Sequence, residues 1–214
     1  MVRTKDQSGK TRELMLEAAI KAIEEGGEQS IRTKAIAESA GVTEPSLFHF
    51  FGSRDGLVQA AQIERYSRGI AQMFHYFRDA VMKCDTREEF IAVARDGLEL
   101  GLAPHRDVNR ATRISVLGST MSRPEMREPL RVSQAEQFKI LESTIEYAKE
   151  RGWVPSTVDA AVFAAWVPSM STGRVVAEIM GDDELLARWN EAAISATLHL
   201  LGVEQPVATR SLPR

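Results

Sequence analysis

The residues best placed to do chemistry fall early in the chain, in the stretch AIAESAGVTEPSLFHFFGSRDGL at positions 35–57. Two short apolar-patterned pieces are joined there through Ala40-Gly41-Val42, and the second opens with Thr43. Glycine at 41 permits a positive φ, so the second piece can leave at a steep angle. Ile36, Ala37, Val42 and Leu47 supply a wedge of core that locks that angle. The N-terminal residues of the second piece then project outward, where they can enter a major groove. On these residues alone the turn is either a structural corner or a contact with nucleic acid, and neither is bond making.

Other constellations are weaker. The four histidines, His49, His75, His105 and His199, lack metal-ligand spacing. No nucleophile elbow, Walker loop or dinucleotide fingerprint is present, so the chain reads as a non-enzyme with no cofactor and no metal. Cys84 stands alone, which excludes an intrachain disulfide, and it reads as an inert thiol. Arg113 and Arg174 lie in otherwise apolar or small-residue stretches, and a buried arginine needs an acidic partner or an anionic ligand. Beside Thr112 and Ser115, Arg113 could reach a ligand carboxylate or pair with a glutamate.

The elements that must position these residues read as helices almost throughout. Leu14, Met15, Ala18, Ala19, Ala22 and Ile23 form one apolar stripe over 11–25, ended by Gly26-Gly27. Thr33 is placed to cap a second helix, and Thr43 a third of about two turns with Pro45 in its first turn. Ser53 can cap a fourth helix running from Arg54 towards Lys83. Further helices are expected at 86–101, 105–118, 124–151, 156–179 and 183–201, and strand signals are nearly absent. With 43% hydrophobic and 27% charged residues among 214, there is ample material for a core. Net charge is −3, yet Arg3, Lys5, Lys10 and Arg12 face Asp6 alone at the N-terminus, so positive charge is local. The start of the chain is polar, and no apolar run approaches the roughly 20 residues of a membrane span. The expectation is a cytoplasmic protein with no membrane partner.

From Lys10 to Leu57 the chain resembles the DNA-binding domain of the TetR family of bacterial transcriptional regulators. The resemblance runs through Ala18-Ala19, Gly26-Gly27, Thr33, Ile36-Ala37-Glu38, Ala40-Gly41-Val42-Thr43, Ser46-Leu47-Phe48 and Phe51-Gly52-Ser53-Arg54-Asp55-Gly56-Leu57. It implies that Thr33, flanked by Arg32 and Lys34, opens the second helix where a phosphate can sit. It implies further that Thr43, Glu44, Pro45 and Ser46 approach base edges, with Phe48 and His49 following, and that Arg54 contacts a phosphate. The family usually has tyrosine at the position of Phe48, often histidine at that of Phe50, and usually lysine at that of Arg54. Phe50 and Phe51 read as core. Glu44 either accepts from a cytosine amino group or caps its helix, and both readings stay open.

The resemblance implies an all-α chain: an N-terminal three-helix helix-turn-helix domain (1–56, with the basic arm), a larger helical ligand-binding and dimerisation domain (57–202), and a flexible tail (203–214). Leu186, Trp189, Ala193, Ala196 and Leu200 form a stripe, and the preceding helix carries the small residues Ala160, Ala161, Ala164 and Ala165. Two such helices from each subunit would make a four-helix bundle. Candidates to line an apolar pocket are Met73, Phe74, Phe77, Phe90, Leu98, Leu102, Met121, Phe138, Trp166 and Met170. The expected function is a homodimeric repressor that binds a palindromic double-stranded operator and is released by a small, largely apolar effector. Two rivals remain: an architectural DNA-binding protein without effector, and a helical ligand-binding protein whose helix-turn-helix has lost DNA affinity.

Overall fold

The computed structural model describes residues 5–203. Among them are nine α-helices and no strand. In order they are α1 (Lys5–Gly26), α2 (Thr33–Ser39), α3 (Glu44–Phe51), α4 (Arg54–Val81), α5 (Arg87–Leu102), α6 (Asp107–Ser122), α7 (Arg127–Glu150), α8 (Ala160–Glu178) and α9 (Asp183–Leu200). Short 3₁₀ turns at Glu28–Ser30, Pro104–Arg106 and Pro124–Met126 precede α2, α6 and α7. Arg3 of the basic arm lies outside the described residues.

Several helix ends differ from the sequence expectation, each for a local reason. The N-cap of α2 is Arg32, not Thr33, and no side chain caps that end. α6 starts later than 105 because the proline at 104 opens a 3₁₀ turn, and it runs through Gly118 to Ser122. α8 starts at Ala160 rather than 156, where the Asp159 carboxylate accepts from the Ala161 and Val162 N–H groups at 3.0 Å each. α5 opens with a capping box in which Thr86 and Glu89 satisfy each other's backbone N–H. Val203, assigned to the tail by sequence, is buried, and its N–H donates to the Leu198 carbonyl at 3.1 Å. It belongs to the core; the remaining tail lies outside the described residues.

Two apolar cores result, and α4 serves both. Leu57, Val58 and Ala61 from its first turns pack with Met15, Ala19 and Ile23 of α1, Ile36 and Ala37 of α2, and Leu47 of α3. Further along, Tyr66, Ile70, Met73 and Phe74 enter a larger core with α5, α7, α8 and α9. The small core therefore continues past position 56, through Ala61. One continuous helix of 28 residues ties the two units together.

Candidate functional site

The turn between α2 and α3 depends on Gly41, whose φ is +68°. Ala40 and Val42 pack against the small core on either side of it. α3 leaves with Leu47 fully buried and with Thr43, Pro45, Phe48 and His49 exposed; Ser46 is half-buried, its hydroxyl 3.0 Å from that of Thr43. Glu44 is occupied from within: the Thr33 hydroxyl donates to its carboxylate. The bond links the first residues of α2 and α3, eleven positions apart, and fixes the angle between the two helices. Arg32 and Lys34 are exposed, with the Arg32 guanidinium donating back to the Gln29 carbonyl at 2.5 Å. The Arg12 guanidinium lies 5.4 Å from the centre of the Phe51 ring, a cation–π contact that holds α1 against the end of α3.

Arg54, expected at a phosphate, is turned inward. It donates through Nη2 to the Glu28 carbonyl at 2.6 Å and through Nε to that of Ile31 at 3.3 Å, clamping the turn after α1 to α4. Two further features escaped sequence reading. A Cβ on Gly56 would stand 2.0 Å from the Phe51 carbonyl oxygen, so only glycine lets α4 begin this close to the end of α3. The Glu28 carboxylate receives both Nη groups of Arg123, at 3.0 and 2.6 Å, together with the Gln62 amide at 2.9 Å. Arg123 directly follows α6, so this fork joins the helix-turn-helix unit to the larger one. The same contact holds the Glu28 carboxyl below its ordinary value of 4.5, against a smaller upward push from burial.

This arrangement of a glycine turn, an exposed two-turn helix and flanking cations is matched in sequence. Residues 15–61 fit the model of bacterial regulatory proteins, tetR family. That segment therefore carries a DNA-binding domain similar to that family's. The match supports a DNA-binding transcriptional regulator, with α3 as the second helix of its helix-turn-helix. A TetR-family transcriptional regulator from Pectobacterium atrosepticum shares its fold at a TM-score of 0.60 and 22% identity, over 96% of this chain and 100% of the other. GusR of Salmonella enterica does so at 0.59 and 18%, over 93% and 98%. FadR of Bacillus subtilis, solved in complex with stearoyl-CoA, does so at 0.50 and 16%, over 90% and 99%. At these identities the likeness is one of fold. No curated protein matches the sequence.

In the regulator's larger unit the residues expected at a pocket separate into groups. Met73, Phe77, Leu98, Leu102 and Met170 meet around two small voids between α4, α5 and α8, of about 40 and 10 Å³. Phe90 is buried at the far end of α5, stacked on Trp153, and Phe138 packs against the core; neither lines the voids. Met121 is 77% exposed on α6 beside Ile114 and Leu117, which removes it from any enclosed site of this chain. Trp166 is also exposed, its indole N–H donating to the Thr197 hydroxyl at 3.0 Å, so it lies over α9 instead of facing inward. Arg174 pairs with Glu178 and donates to Asn190 at 2.8 Å; Arg113 reaches the Ser171 hydroxyl at 3.3 Å.

The stripe expected to meet a second subunit is also redistributed. Ala193 is buried in the chain's own core, Leu186, Trp189 and Ala165 are half-buried, and Ala161, Ala196 and Leu200 are exposed. The apolar residues that α8 leaves in solvent are Val162, Trp166 and Val176, on a face that also carries Ser169 and Gly173; Ile179 and Met180, just past its end, are exposed as well.

Proposed function

We propose that this regulator acts as a homodimeric repressor whose two recognition helices read a palindromic operator, and that a small effector entering between α4, α5 and α8 releases it. The reading rests on one observation above the others: α4 carries at its N-terminal end the residues that close the core behind the recognition helix, and at its middle Met73, Phe74 and Phe77 in the wall of the voids. A ligand that pushes on the wall moves the reading head. Thr43, Pro45, Ser46, Phe48 and His49 form the face offered to bases, and Arg32 and Lys34 the cations offered to phosphates. The exposed Val162, Trp166 and Val176 of α8, with Ile179 and Met180 just beyond it, support pairing with a second copy, since apolar clusters in water mark interaction surfaces. Two copies so joined would hold their α3 helices about 34–36 Å apart, one turn of DNA. FadR of Bacillus subtilis, with its bound stearoyl-CoA, is an example of this fold holding a small molecule.

The test is selection from a random duplex pool, repeated with Ser46→Ala and Lys34→Ala. Recovery of an inverted repeat is expected. Ser46→Ala should relax the selected sequence, and Lys34→Ala should weaken all sequences alike and reduce the salt slope by about one. If no sequence is enriched even at low salt, the operator-binding reading is lost.

A further inference from the structure

Three arginine side chains are withdrawn from water where α5 ends against α6 and α8. Arg110 is fully buried, Arg174 is 2% exposed and Arg113 5%. A single carboxylate, that of Glu178, pairs with both Arg110 and Arg174. Arg110 also donates to the Ala103 and Gly101 carbonyls at 3.2 and 3.5 Å, capping the negative end of the α5 dipole. Arg174 has Asn190 in addition. These two are accounted for by the fold.

Arg113 is not. Its contacts are long: 3.4 Å from Nε to the Asn109 carbonyl of its own helix, and 3.3 Å from Nη2 to the Ser171 hydroxyl. Its Nη1 is buried with no partner, as is Nε of neighbouring Arg110. Burial, reinforced by the nearby Arg110 and Arg106 charges and opposed by Tyr66, pushes its pKa down to about 10, so the guanidinium stays charged at neutral pH. Charged residues are almost never fully buried unless paired. Three guanidinium groups against one carboxylate leave a surplus of positive charge that the helix dipole, roughly half a unit, does not cancel.

Ser171 shows what lies beside Arg113. It lines the smaller void, which shares Met73, Gly97, Leu98 and Val167 with the larger one. Everything else around both voids is apolar except the phenol of Tyr76 at the rim. Glycines at 97 and 101 leave the α5 wall bare, and their space is taken by flexible side chains: a Cβ would meet the Phe77 ring at 3.4 Å and the Met73 sulfur at 3.2 Å. The result is an apolar seam ending at Ser171, whose hydroxyl donates to the Gly101 carbonyl at 3.4 Å and accepts from Arg113 behind it.

We propose that Arg113 and the Ser171 hydroxyl bind the carboxylate of an effector whose straight apolar chain lies along the seam between α4, α5 and α8. The proposal rests on the effector-released reading and supplies the chemical class of the effector. The voids are far below the roughly 300–1,000 Å³ of an occupied ligand site. Entry of the chain must therefore displace Met73 and Phe77, both on α4, and this gives the ligand its preference for a different conformation.

The test uses the full chain, with straight-chain carboxylates from butyrate to palmitate and the matching alcohols as probes, and calorimetry as the readout. The best carboxylate should bind about tenfold or more tighter than its alcohol, the margin of a charge-assisted hydrogen bond. Arg113→Met should abolish that margin while leaving the alcohol's affinity unchanged, and Arg113→Lys should keep part of it. Ser171→Ala, which leaves the buried charge in place, should narrow the margin several-fold if Arg113→Met does not fold. Equal binding of acid and alcohol by the unaltered protein, a margin that survives both Arg113→Met and Ser171→Ala, or no binding anywhere in the series would overturn the proposal. Operator binding measured without probe separates the two readings: a protein that selects an inverted repeat but ignores every carboxylate keeps its place as a repressor and loses this effector class.

Discussion

Glu44 places a negative charge on the helix proposed to face a polyanion, and its partner is a hydroxyl on the preceding helix. The sequence left two roles open for it, base contact or cap, because both are local. The bond to Thr33 is a third, formed between residues whose proximity exists only once the turn at Gly41 has folded. Thr33 itself was expected to cap α2; it sits one residue inside, and its hydroxyl is directed across to α3 instead. If the pair sets the helix angle, Thr33→Val and Glu44→Gln should each weaken operator binding by a similar factor, about fivefold for one hydrogen bond of roughly 1 kcal/mol. Both variants should select the same sequence as the parent. A new base preference in Glu44→Gln alone would mean that the carboxylate reads DNA. Gly56 follows the same logic: its place in the motif was visible from the sequence, while the reason for it, a carbonyl from α3 in the space of the missing Cβ, was not.

At the scale of elements, α6 has contacts at both ends that matter. Near its start it carries Arg110 and Arg113 beside the α5 terminus; just past its end Arg123 grips Glu28 under the recognition domain. Breaking that fork with Glu28→Gln should cost about 1 kcal/mol, the upper range for a partly exposed ion pair. It should also loosen the reading head, measurable as faster amide exchange in α2 and α3 with little change in α7. The pair has a definite pH signature. Arg123 holds the folded carboxyl below its ordinary 4.5, so the contribution is whole above that value and disappears as pH falls through the lower folded value. Thermal stability should thus decline more steeply on acidification in the parent than in Glu28→Gln, and parallel curves would show that the fork adds nothing. Sequence reading found the order of helices because their apolar stripes and glycine stops are local signals. It missed where α6 and α8 start, since a 3₁₀ turn at Pro104 and a cap at Asp159 shift an end without changing the stripe. The fork spans 95 positions and left no local trace.

For the whole molecule, the proposed pairing needs a surface that the chain's own core leaves free. Composition pointed to small residues on two helices, but composition does not say which face the chain's own core consumes. Ala193 turned out to be inside, and the face left over on α8 centres on Val176, which is 75% exposed. A charge there should be tolerated by a lone chain and not by a pair. Val176→Glu is expected to sediment as a monomer at micromolar concentration and to bind a half-site as weakly as it binds the full repeat. If the variant stays paired, another surface holds the copies together. The same limit applies to the expected pocket: aromatic and methionine residues at helical spacing include Met73, Phe77 and Leu98, which meet around a void, and also Met121 and Trp166, which share the pattern and face outward.

The small size of the void has a consequence in time for the proposed release. If an effector enters as proposed, a void of about 40 Å³ admits it only once α4 and α5 part, so the rate of capture is limited by how often they part. Rapid-mixing traces should then level off as ligand concentration rises, at a ceiling that is a property of the protein alone, where simple collision would keep climbing. The same barrier stands in the way of departure. A ligand once enclosed outlasts its own depletion from the surroundings, and a gene under this control would lag at the onset of a signal and persist after it ends.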